Sequence, residues 1–163
     1  QLKSDQVEVR NQAFSPADIL KSVEALFEPA ARDKGLVFAA EITPAATKQV
    51  IGDSRLTRQL FSTLAALVIK HSPPGILRGL LEVEEEGEGL AWVKFTATVE
   101  QLYFPPKVIE RVRAEFANMS GDGGVGLAIC WRLATLMDGT LEIESSAEAG
   151  TVITVCLPMR RDV

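Results

Sequence analysis

The sequence predicts a two-layer α/β sandwich, in which a mixed and mostly antiparallel sheet carries about three helices packed on one face. Three observations carry this. Apolar residues recur at helical spacing in some segments and alternate with a period of two in others. These segments run in the order strand, helix, two strands, helix, two long strands, helix, helix, two strands. The chain has 163 residues, 47% of them hydrophobic, enough for one core and too few for two comfortable ones. Such an order places a layer of helices on one face of a sheet. The whole chain, 1–163, is therefore expected to form a single domain.

Residues 6–14, QVEVRNQAF, alternate as a short strand, and Ser15-Pro16 supplies an N-cap followed by proline in the first helical turn. Ile19, Leu20, Val23, Leu26, Phe27, Ala30 and Ala31 then recur at helical spacing until Lys34-Gly35 ends the helix. LVFAAEI reads as a buried strand and KQVIG as a second, short one. Asp53 or Ser54 caps the next helix, whose apolar face is Leu56, Leu60, Leu64, Leu67 and Val68; Pro73-Pro74-Gly75 breaks it. ILRGLLEVEEE and LAWVKFTATVE form two strands joined around Gly87 to Gly89, with the acidic run Glu82 to Glu88 as the solvated tip of that hairpin. A helix from Pro106 to Phe116, the glycine loop GDGGVG, and a helix from Val125 to Met137 stopped by Asp138-Gly139 come next. TLEIESS and TVITVCLP, joined by a Gly150 turn, close the chain.

Charge excludes several function classes. The net charge is −5, and no basic run exceeds Arg160-Arg161, so neither nucleic acid nor an anionic membrane surface is an expected partner. No apolar stretch approaches the roughly 20 residues that a membrane span needs. The two cysteines, Cys130 and Cys156, lack metal-ligand spacing and read as buried small side chains in a reducing cytosol, with a disulfide between them left open. A cytoplasmic location is expected, either free or as the cytosolic part of a membrane-anchored sensor. Because the chain starts with Gln in polar, helix-compatible residues, it is expected to be a piece of a longer protein.

Motifs sharpen this reading. GGVGLAICWRLATLMDGTLEIESSAEAGTVITVCLP closely resembles the end of the ATP-binding domain of sensor histidine kinases, with its GxGLGLAI loop and helix, its MGG helix end, a strand ending in Ser, and GT.F...LP. GDSRLTRQLF...VIKHSPPG is similar to that family's second helix, and LKSDQVEVRNQAFSPADILKSVEALFEPAARDKGLVF looks like the segment leading out of its dimerisation helices. The resemblance implies the Bergerat, or GHKL, fold, with residues 1–13 as the exit from an upstream dimerisation helix. It also implies ATP with Mg²⁺ as cofactors, and as partners a response-regulator receiver domain or another histidine kinase.

Departures from the family pattern fall on the groups that hold nucleotide. The family coordinates Mg²⁺ through an Asn on the second helix, since this ion requires hard oxygen donors. Aligning on RQLF and IK puts Leu67 at that position and Thr63 at the polar residue one turn earlier, whereas aligning on Asp53 and Arg55-Leu56 shifts these to Ala66 and Ser62. Residues 54–75 contain no Asn, Asp or Glu under either alignment. The family's DxGxG loop, whose Asp binds the adenine amine, corresponds to Val99, Gln101 and Tyr103, with Glu100 one residue from the carboxylate position. Tyr103 and Phe104 are expected to fill the base pocket. The lid shrinks to ANMSGDG between Phe116 and Gly124.

The resemblance with these departures implies a degenerate ATP-binding domain of a sensor histidine kinase or histidine phosphotransfer protein. It would be retained as a regulatory or protein-binding module, with no catalytic residue, no metal site and no bound cofactor. The rival is an active ATP-dependent autokinase with rearranged contacts, in which Lys70, Glu100, Gly124, Gly126 and Thr151 hold the nucleotide. Glycines at a helix start leave backbone N–H groups free for phosphate, but they serve close packing of helix on sheet equally well, and Asp122 inside the loop would repel an anion. His71, at the end of the second helix, lacks the surroundings of a phospho-acceptor and is expected to face solvent or cap the helix. Trp92 and Trp131 are expected in core or interface.

Overall fold

The computed structural model describes residues 9–111 and 125–161. Seven strands form one sheet: β1 (Gln12–Phe14), β2 (Leu36–Ile42), β3 (Val50–Gly52), β4 (Gly75–Glu86), β5 (Leu90–Val99), β6 (Thr140–Ser146) and β7 (Gly150–Arg161). Three helices, α1 (Pro16–Asp33), α2 (Ser54–His71) and α3 (Val125–Leu136), cover one face. A 3-10 turn at Pro44–Thr47 and a helical stretch over 106–111 complete the elements among the described residues. The fold is the expected α/β sandwich with a mixed sheet.

Strand order is β1-β3-β7-β5-β4-β2, with β6 also bonded to β7. All pairings are antiparallel except β2 with β4, which run parallel from Leu36↔Gly75 to Ile42↔Leu81. Parallel pairing requires a crossover, and the chain supplies it through β3 and α2. The period-two pattern of β5 has a direct consequence. Ala91, Val93, Phe95, Ala97 and Val99 point into the helical layer, while Trp92, Lys94, Thr96 and Thr98 lie on the open face. β7 repeats this with Thr151, Ile153, Val155, Leu157 and Met159 inside.

Caps set the helix limits. Ser15 Oγ accepts the Asp18 N–H, and Pro16 opens α1. α2 begins at Asp53, whose Oδ1 accepts the Leu56 N–H at 2.9 Å and whose Oδ2 accepts the Arg10 N–H at 2.8 Å. One carboxylate therefore fastens the incoming chain to the start of α2. α3 ends in a Schellman arrangement: Gly139 N–H reaches Ala134 C=O at 2.8 Å and Asp138 N–H reaches Thr135 C=O at 2.9 Å, with Asp138 left-handed at φ 62°. The left-handed position thus falls on Asp138. Gly139 is held by a different constraint, since a Cβ there would lie 2.3 Å from the Cys156 carbonyl oxygen.

Several expectations are corrected. Of the strand expected over residues 6–14, residues 6–8 lie outside the described residues, and residues 9–11 are not strand, since β3 pairs only with Gln12–Phe14. Of the helix expected over 106–116, residues 106–111 are helical and the rest lie outside the described residues. Cys130 is buried, and that burial pushes its thiol up to about 12, but Cys156 falls on the open face of β7 and is only half-buried; both are free thiols. At the acidic hairpin, Trp92 Nε1–H donates to Glu86 and Arg161 Nε–H donates to Glu85, so the tip is partly tied back to the sheet.

The Asp53 cap yields a prediction with a pH signature. Burial opposes ionisation of this carboxyl, but the hydrogen bonds from Arg10 and Leu56, with Arg55 beside it, outweigh burial and hold it below the ordinary range. Its contribution to stability is complete above the unfolded value of about 3.9 and is lost as pH falls through the lower folded value. Asp53→Ala is expected to lower the unfolding free energy by about 1–2 kcal/mol in urea titrations at neutral pH. The variant should also lose stability less steeply than the parent on acidification.

Candidate functional site

The residues matching the family's nucleotide contacts lie where α2, the start of α3, the segment after β5 and the β6–β7 hairpin meet. On α2, the side chain turned toward α3 is Leu67, 7% exposed and part of the core. A Cβ built at Gly126 would stand 3.4 Å from Leu67 Cδ1 and 3.8 Å from its Cβ. Leu67 and Gly126 therefore face one another across the α2–α3 interface. Ala66, the alternative match, is exposed. Thr63 Oγ1–H is already donated to the Gln59 carbonyl at 2.8 Å. No carboxylate or Asn of α2 reaches this interface, because residues 54–75 contain none. The described residues at this interface do not fit a bound Mg²⁺.

The segment after β5 is pinned by a hydroxyl network. Thr151, 0% exposed, donates its Oγ1–H to the Leu102 carbonyl at 2.8 Å. With that proton committed, the 2.7 Å contact to Ser145 Oγ has Ser145 as donor, and Ser145 Oγ accepts the Phe104 N–H at 2.8 Å. Leu102 and Phe104 are buried as a result. Phe104 meets the His71 ring edge-on at a centroid distance of 5.9 Å, joining this segment to the end of α2. Thr151, a candidate for holding nucleotide, thus has its hydroxyl engaged within the protein.

Backbone alternation separates the other candidates. Val99 points inward and is buried, so Glu100 emerges on the opposite side, exposed beside Arg78, Gln101 and Gly75 in a surface trough. Its position is set from behind by Gly150, left-handed at φ 83°, where a Cβ would lie 2.4 Å from Glu100 Cα. Lys70 is exposed near the end of α2, and its carbonyl accepts from Lys34 Nζ at 3.2 Å. Gly124, with Gly121, Asp122 and Gly123, lies outside the described residues, as does the shortened lid. Of the five candidates, Gly126 and Thr151 adjoin the buried interface, while Lys70 and Glu100 stand in solvent.

Tyr103 corrects a sequence expectation: it is 45% exposed and does not fill the interior. Leu102 fills it together with Phe104, because Thr151 anchors the Leu102 carbonyl and the next side chain along an extended segment must turn outward. The Ser145–Thr151 pair was legible only as a strand ending in Ser and the Thr of GT, while its engagement with Leu102 and Phe104 depends on the β6–β7 register Ser145↔Thr151. His71 is exposed at the helix end as expected; burial first, then Lys70 and Lys34, lower its pKa and favour the neutral ring. Trp131 is buried, with Nε1–H donated to Leu141 C=O at 2.7 Å, whereas Trp92 is half-buried on the open face. Among the described residues, no cluster of three His, Cys, Asp or Glu is placed to hold a metal.

Comparison with known proteins places this geometry. Residues 52–161 match the family model described as histidine kinase-, DNA gyrase B-, and HSP90-like ATPase. Sensor histidine kinase RcsC of Escherichia coli strain K12 is 27% identical over 166 residues, covering 97% of this chain and 17% of that protein. Sensor protein TorS of the same strain is 28% identical over 163 residues, covering 94% of this chain and 17% of that protein. The chain therefore spans about a sixth of the curated relatives it matches. Among solved structures, full-length ShkA in complex with AMPPNP aligns with a TM-score of 0.77 at 23% identity, over 96% of this chain and 33% of that one. The nucleotide-free catalytic domain of histidine kinase ThkA aligns at 0.70 and 20% identity, over 93% and 96% of the two chains. At these identities the structures show a shared fold.

Two predictions follow from the interface. Thr151→Val leaves the Leu102 carbonyl and the Ser145 hydroxyl without their partner, and should lower stability by about 1–3 kcal/mol in chemical denaturation. Gly126→Ala should be tolerated or stabilising by up to about 1 kcal/mol, since the added methyl meets Leu67 at ordinary contact distance. Close packing does not require glycine there. A loss of stability in Gly126→Ala thermal melts would contradict the described interface.

Proposed function

The chain belongs to the histidine kinase-, DNA gyrase B- and HSP90-like ATPase family, and from that premise we propose that it is a degenerate ATP-binding domain of a two-component signalling protein. In this reading it binds neither ATP nor Mg²⁺ and serves as a regulatory or protein-binding module. The observation that carries the proposal is Leu67, a buried aliphatic side chain packed toward Gly126 at one of the two positions that match the family's metal-coordinating Asn, the other being Ala66. An aliphatic group there supplies no oxygen to the metal, and burying ionic phosphates against it unpaired is costly. The engaged Thr151 hydroxyl and the solvent-facing Glu100 support the same reading.

The parent protein would be a sensor histidine kinase or a histidine phosphotransfer protein, with residues 1–13 leading in from a helical dimerisation segment and the remainder folding as one domain. The partner would be the receiver domain of a response regulator, or a second histidine kinase. Such a module acts through surfaces and through the conformation it imposes on its neighbours, so it needs no chemical step of its own. A cytoplasmic location belongs to this proposal; no helix among the described residues is long and apolar enough to cross a membrane.

Calorimetric titration of the protein with ATP and Mg²⁺ tests the proposal directly. No binding heat is expected up to millimolar nucleotide. Saturable binding in the micromolar range would overturn the reading in favour of an autokinase domain with rearranged contacts.

A further inference from the structure

An apolar cavity of about 40 Å³ opens between α1, α2 and the inner face of β2, β4 and β5. Its floor has a specific origin. Ala40 pairs with Gly79 and Gly79 with Ala97, so three of the smallest side chains fall in one row across three adjacent strands. Phe95 leans over the glycine, whose Cβ would lie 3.1 Å from the ring, and packs against Phe61 at a centroid distance of 5.2 Å. The void is therefore built by register, and aromatic rings wall it.

One charged side chain lines this cavity: Glu24 of α1. It stands four residues after Leu20 and three before Phe27, a position on the apolar face of the helix where the pattern calls for an aliphatic residue. The carboxyl is half-buried, and burial raises its pKa with Lys21 offsetting only part of that effect. A carboxylate at the rim of an apolar pocket favours a cation beside it.

We propose that this cavity is a binding site for a small aliphatic ammonium compound, whose hydrocarbon end fills the space over Ala40, Gly79 and Ala97 while its ammonium pairs with Glu24. The volume sets the size class, since a void that binds benzene is about 150 Å³ and one probe sphere occupies roughly 10–15 Å³. A short unbranched chain therefore fits better than a ring. Charge complementarity selects an amine over an alcohol or a carboxylate of the same length.

Butylammonium and n-butanol are the probes, followed by methyl NMR of Leu20, Leu64 and Val68. Butylammonium is expected to give saturable shifts confined to these lining methyls, with n-butanol binding at least about tenfold more weakly. Glu24→Gln should erase that difference. Ala40→Leu, at the exposed end of that row, should abolish the shifts while leaving the thermal melt intact, and Ala97→Leu should do the same from its buried end if the variant folds. Absence of a saturable shift, equal affinity for the two probes, or unchanged binding in Ala40→Leu overturns the proposal.

Discussion

Strand β7 is hydrogen-bonded on both sides, to β5 along one edge and to β6 and β3 along the other. Everything else in the sheet takes its position from this pairing. A strand bonded on both edges cannot slip by one residue without moving its whole apolar set to the wrong face. Ile153, Val155, Leu157 and Met159 are all buried, so slippage would expose four large side chains at about 1.5–3 kcal/mol each. The register puts Thr151 at the buried end of β7, opposite Ser145. From there the hydroxyl reaches Leu102, and the segment after β5 is fixed.

That chain of constraint makes the region between α2 and α3 a packed interface. Among the described residues there, Leu67 is aliphatic, Thr151 and Ser145 bond to each other and to backbone, and Leu102 with Phe104 is buried. Each change is locally favourable, because burying an aliphatic group avoids the penalty of an unpaired polar one. In the proposed reading, a domain relieved of nucleotide chemistry gains a better-packed core and keeps the sheet that holds its outer surfaces in place.

Gly126 and Gly139 look alike in the sequence and differ in space. Both border α3, yet a methyl at Gly126 meets Leu67 at an ordinary distance, whereas one at Gly139 would overlap the Cys156 carbonyl. Of these two glycines, close approach therefore requires the one after α3 and not the one in its first turn. Asp138 makes the complementary point, adopting the left-handed conformation at φ 62° beside a glycine that could have taken it more cheaply.

By itself the sequence determined the two-layer architecture, the element order and the absence of Asn, Asp and Glu from α2, because helical and strand periodicities and residue identity are local properties. It also narrowed the cap of α2 to Asp53 or Ser54, and the structure assigns it to Asp53. Tertiary structure alone decided that Tyr103 faces out while Leu102 and Phe104 face in, that Glu100 leaves the sheet on the side away from Val99, and that Ala40, Gly79 and Ala97 fall in one row. Each of these depends on strand register and on hydrogen bonds such as Thr151 to Leu102, which join residues 49 positions apart. A linear pattern contains the partners but not their pairing, and the pairing is what turns a side chain toward the core or toward solvent.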